Sequence, residues 1–216
     1  MNWSLNEIEA LAKKATRGAG LSWGLAEEAG KSARWLSAMG LPGADCLAAV
    51  LMQNDRVAYD TICPEGFAGV WTARGGTLCP LTAGACLCDH ATALAEGLTI
   101  TLGRTAFPLL LFPYVAAASD MTGAPLGLAW DGVDMTRNGG LSFIASASGA
   151  TDMPVAASVQ VRRVPAPDGD PVRRAWRGDI SSATMATLGR FAHRTYAPDT
   201  PESRMAGAGA GLTDND

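Results

Sequence analysis

The dipeptide Asp131-Gly132 lies between two short candidate strands, Leu126–Trp130 and residues 133–136, and it leaves the chain little choice of conformation there. A two-residue loop joining antiparallel strands needs positive φ angles at its centre, and Asp-Gly accepts them readily. Asn138-Gly139-Gly140 repeats the signal a few residues later, so residues 141–145 read as the next strand. Leu98-Thr99-Ile100-Thr101-Leu102 and Ser158-Val159-Gln160-Val161-Arg162 alternate with the period of two that marks a half-buried strand. The middle of the chain therefore predicts a mostly antiparallel sheet built as a meander. The apolar run 106–118, with Leu109-Leu110-Leu111 inside it, reads as a buried strand region. At about 13 residues, with Pro108 and Pro113 inside, it is too short and too interrupted to span a membrane.

Helical signals gather at the two ends. Ser4-x-x-Glu7 has the form of a capping box, and Leu5, Ile8, Leu11, Ala12 and Ala15 follow on one face. A helix over residues 5–17 should close in Gly18-Ala19-Gly20. Ser22 can cap a second helix, with Leu25, Ala29, Ala33 and Leu36 apolar and Gly40 and Pro42 as stops. Residues 44–54 suit a third, short helix and residues 81–96 a fourth, ended by Gly97. Pro64, Gly66, Gly69, Gly75 and Gly76 leave loops and short strands between them. Asp179 or Ser181 caps a last helix through Met185, Leu188 and Ala192. Helices first, sheet in the middle and a helix last predict an α+β fold, not βαβ alternation. The expected organisation is one domain over residues 1–216: a helical part to 55, a mainly β part over 56–165, a helix over 178–197 and an ordered glycine-rich tail.

Bulk composition removes several function classes. A hydrophobic fraction of 48% with 18% charged residues suits a packed core. The net charge is −4 and the arginines are dispersed, which argues against a nucleic-acid partner. The N-terminus lacks a basic segment followed by an apolar one, and five cysteines is an odd number for a disulfide framework, so the expected setting is cytoplasmic with reduced thiols.

Functional groups are densest near the C-terminus, where His193, Arg194, Tyr196 and Arg204 precede the alternating Gly207-Ala208-Gly209-Ala210-Gly211. The helix dipole accounts for cations at the end of the last helix. If the tail folds back, the same residues form an anion-binding and acid/base cluster. Gly18-Ala19-Gly20 with Gly24 lacks both the spacing and the preceding strand of a dinucleotide fingerprint; it suits a helix end and, beside Arg17, a small-anion site at the next helix N-terminus. Of the adjacent Glu27 and Glu28, at most one faces any given site. Cys63, Cys79, Cys86, Cys88 and His90 are zinc-ligand types, but the C-x-C spacing in a helical segment favours buried thiols acting as small hydrophobes. No metal and no cofactor is expected.

Residues 4–11, residues 17–29 and the ending 207–216 resemble a family of bacterial proteins of this length known as a domain of unknown function. The resemblance implies no reaction. The residues themselves point to a small-molecule enzyme of hydrolase, lyase or isomerase type acting on a small anionic metabolite. Glu27 or His193 would move the proton, and Arg17, Arg194, Tyr196, Arg204, Gly207 and Gly209 would bind the substrate. The alternative is a non-catalytic partner subunit or oligomeric scaffold, with a homo-oligomer or a hetero-partner in view and no membrane.

Overall fold

A computed structural model of the chain describes residues 2–196. In chain order its elements are β1 (Asn2–Ser4), α1 (Leu5–Gly18), α2 (Trp23–Ala38), α3 (Gly43–Gln53), α4 (Tyr59–Ile62), β2 (Val70–Trp71), α5 (Pro80–Asp89) and α6 (Ala91–Ala95). Then come β3 (Ile100–Leu102), β4 (Thr105–Ala106), a 3-10 turn (Pro108–Leu111), α7 (Phe112–Thr122), β5 (Leu126–Trp130), β6 (Val133–Asn138) and β7 (Leu141–Ala147). The last are β8 (Val155–Ala156), β9 (Val159–Arg163), β10 (Arg177–Asp179) and α8 (Ser182–His193). The fold is α+β, with helices packed against a mixed sheet of strand order β2-β3-β9-β5-β6-β7.

Local chemistry explains most of these boundaries. Ser4 Oγ accepts from the Glu7 amide while the Glu7 carboxylate accepts from the Ser4 amide, the reciprocal cap that starts α1. Ser22 caps α2 and Ser181 caps α8. Gly139 and Gly140 both have positive φ, which lets β6 return directly as β7, and Asp131-Gly132 does the same between β5 and β6.

Three expectations are corrected. The run over 106–118 is buried as expected but is a 3-10 turn leading into α7, because Pro108 and Pro113 occupy first-turn positions, where a missing amide hydrogen costs nothing. The meander covers β5, β6 and β7 alone, since β9 enters between β3 and β5 and β2 joins β3 in parallel. The helix expected over 81–96 breaks at His90 into α5 and α6. An unexpected pairing also appears: β1 lies antiparallel to β10, with Trp3 opposite Gly178, which ties the two ends of the described chain together.

The core lies where α7 packs against β5 and β6 on one side and against α2, α5 and α6 on the other. Phe112, Val115, Leu126, Leu128 and Met135 are fully buried there, each side chain contributing about 1.5–3 kcal/mol by leaving water. At the far end α1 packs along α2 and is crossed by α8, and that crossing sets up the α1–α2 turn. Among the described residues no helix is long and apolar enough to cross a membrane.

Candidate functional site

The α1–α2 turn is built by glycine. The Gly20 φ angle of +106° turns the chain out of α1, while the Gly20 amide still donates to the Arg17 carbonyl at 3.0 Å. The chain then enters α2 through Ser22, whose Oγ accepts from the Leu25 amide at 3.4 Å. The Trp23 and Gly24 amides have no acceptor among the described residues, as expected for the first turn of a helix.

Arg17 spans this turn. Its Nη1 donates to the Leu21 carbonyl at 2.9 Å, and its guanidinium lies 5.3 Å from the centre of the Trp23 ring. No carboxylate pairs with it among the described residues, although the side chain is half buried. Beside it opens a cavity of about 500 Å³ with Arg17 and Ser22 at its polar end and Leu21, Leu25 and Ile62 among its apolar walls. Tyr59 and Val57 complete the wall, with Tyr59 56% exposed. Burial, and then the charge that the nearby Cys86, Cys63 and Cys79 thiolates would carry, push the Tyr59 phenol above its ordinary value, so it stands as a protonated donor. Thr82 also lines the cavity, but its hydroxyl is committed to the Ile62 and Cys79 carbonyls.

The residues singled out in the sequence divide into separate groups. Arg17 alone lines this cavity. Glu27 is exposed and pairs with Lys13 at 2.6 Å, a hydrogen bond that holds its carboxyl below the usual range. Glu28 pairs with Lys31 and lines a different, smaller cavity beside Cys88 and Tyr114. Arg194 sits on the other side of the turn, forked onto Asp55 at 2.6 and 3.0 Å, with its Nη1 3.5 Å from the Gly18 carbonyl oxygen. His193 is exposed and packs edge-on to Tyr196, whose hydroxyl faces Lys14 of α1 at 3.5 Å. Arg17 and Arg194 therefore flank the same turn, each with its own partners. Arg204, Gly207 and Gly209 lie outside the described residues.

Cys46 and Cys79 are buried, and Cys63, Cys86 and Cys88 are partly so. His90 Nδ1 donates to the Cys86 carbonyl at 2.8 Å, and its ring packs with Phe67 and Trp71 in a cluster of three rings about 5 Å apart. Burial raises the thiols of Cys79 and Cys86, and pushes Cys88 up to about 11. Among the described residues no three His, Cys, Asp or Glu side chains are grouped to hold a metal ion.

Val57, Tyr59, Ile62 and Thr82 were missing from the residues singled out in the sequence, because they come from segments that the fold alone brings to α2. Tyr59 carries no local pattern that marks it, whereas Arg17 could be found because a helix end, a glycine turn and a cap follow it directly.

Residues 3–79 match the model of a family described as a protein of unknown function, DUF3726. The match supports the resemblance carried by residues 4–11 and 17–29, and it spans α1, α2 and most of the cavity wall. A comparison with curated proteins finds no match.

Proposed function

We propose that this protein binds a small anionic molecule with a short apolar body in the cavity beside the α1–α2 turn. The supporting observation is Arg17, a half-buried cation with no carboxylate partner among the described residues, in the lining of a cavity whose walls also include Leu21, Leu25, Val57 and Ile62. The Leu21 carbonyl and the Trp23 ring leave the positive charge of Arg17 unneutralised, and a ligand carboxylate or phosphate would neutralise it through charge-assisted hydrogen bonds. The start of α2 adds a favourable dipole. Leu21, Leu25 and Ile62 fit an apolar body, and the Tyr59 phenol supplies a donor.

This reading favours binding over turnover. Acid/base chemistry of hydrolase, lyase or isomerase type needs a proton carrier within reach of the ligand. Glu27 and His193 lie off the cavity lining, and Lys13 keeps Glu27 a carboxylate. Calorimetric titration with acetate, hexanoate, benzoate and inorganic phosphate tests the proposal. Hexanoate should bind more tightly than acetate, by up to about 0.8 kcal/mol per added methylene that is buried. Arg17→Gln should weaken binding about ten- to a hundredfold, the loss expected for a hydrogen bond to a charged group. No saturable binding to any of the four, or equal binding by the variant, would overturn it.

A further inference from the structure

We infer that the groove beside Trp176 docks an acidic segment of a partner protein, with an apolar residue of that segment seated in the groove. Trp176 is 91% exposed, an unusual place for the side chain with the most apolar surface to lose. It does not sit on a loose loop. The Val172 amide donates to the Ser142 carbonyl at 2.7 Å, the Ala175 amide donates to the Ala38 carbonyl at 2.6 Å, and Arg177 opens β10 opposite Ser4. The indole is therefore presented from a backbone fixed on both sides of it, so little ordering entropy is lost when a partner covers it.

The groove next to it has a volume of about 280 Å³ and is lined by Leu5, Ala38 and Ala175 together with Arg34, Arg174 and Trp176. Arg34 is paired with Glu9 at 2.9 Å and Arg177 is bonded to Asn2, whereas Arg173 and Arg174 have no ion pair among the described residues. Tryptophan and arginine around a small apolar depression are the side chains that dominate binding energy at protein interfaces. Charge selects the occupant. Arg173 and Arg174 leave two positive charges here that no carboxylate pairs with among the described residues, so an acidic segment is attracted to them. A symmetric pairing of two copies through the same patch would bring the unpaired arginines of both copies into one interface, where like charges repel.

The test is fluorescence anisotropy with a labelled peptide of about twelve residues made of Glu and Ser with one central Leu. Three comparison probes replace Glu by Lys, replace Leu by Ser, or substitute a single-stranded oligonucleotide. The full chain should bind the Glu–Leu peptide saturably, and both the Lys peptide and the Ser-substituted one at least about tenfold more weakly. Trp176→Ala and Arg174→Glu should each lose about tenfold or more, with thermal unfolding unchanged because both side chains are exposed. The inference is overturned if the Glu–Leu peptide does not saturate, if the Lys peptide or the oligonucleotide binds as well, or if Trp176→Ala leaves binding intact. It stands apart from the Arg17 cavity, since neither Trp176 nor Arg174 lines it.

Discussion

Gly18 is required by its neighbour. A Cβ at this position would stand 1.8 Å from the Phe191 carbonyl oxygen of α8, so α8 crosses α1 only because the position is bare. Gly24, at the start of α2, has nothing within 4 Å of the same point. Gly18→Ala should therefore cost about 1–3 kcal/mol in urea unfolding, and Gly24→Ala should be neutral or stabilising by up to about 1 kcal/mol. Equal effects would mean that the α1–α8 crossing is not as close as described. The thiols make a second test at this scale. Burial, first among the causes, pushes Cys46 up to about 12 and raises Cys79 in the same direction. A raised thiol contributes stability in full below its unfolded value of about 8.5, and that contribution is lost as the pH rises through the folded one. Iodoacetamide at mildly alkaline pH should thus spare Cys46 and Cys79 in the folded protein and modify them on unfolding, as mass spectrometry of the digested protein would reveal. Rapid modification of either in the folded state would contradict their burial.

At the scale of elements, what could be read in advance depended on how local the determinants were. The reciprocal cap at Ser4 and Glu7, the Ser22 cap and the glycine turns each act within a few residues, and α1, α2 and the β5–β6–β7 meander follow from them. Ser4→Ala should remove the hydroxyl half of the α1 cap, leaving the amide of residue 4 on the Glu7 carboxylate, and lower stability by about 1 kcal/mol, measurable by thermal or urea unfolding. The leucine run before α7 resembles a strand in sequence because burial on all sides hides its period, and the prolines that would break a helix interior fit a first turn. The entry of β9 between β3 and β5 is set by long-range pairing, which no local pattern in residues 159–163 announces.

For the molecule as a whole, two successive C-terminal elements meet α1 at its two ends: β10 pairs with β1 just before its start, and α8 crosses its last turn. Arg194 stands beside this turn but is held by Asp55, and Tyr196 rests on Lys14, while the tail on which the expected cluster depends lies outside the described residues. Arg17 is legible as a candidate anion-binding residue from its place at a helix end, while the cavity beside it depends on the fold bringing Tyr59, Ile62 and Thr82 to the start of α2. The central claim is that Arg17 and this cavity bind an anion with an apolar body. The most direct measurement is an amide-resolved NMR titration of the wild-type chain with hexanoate. The account predicts saturable shifts confined to Gly20, Ser22, Leu25, Tyr59 and their neighbours, together with the Arg17 side-chain Nε–H, and their loss in Arg17→Gln. Shifts centred elsewhere, or unchanged in the variant, would contradict it.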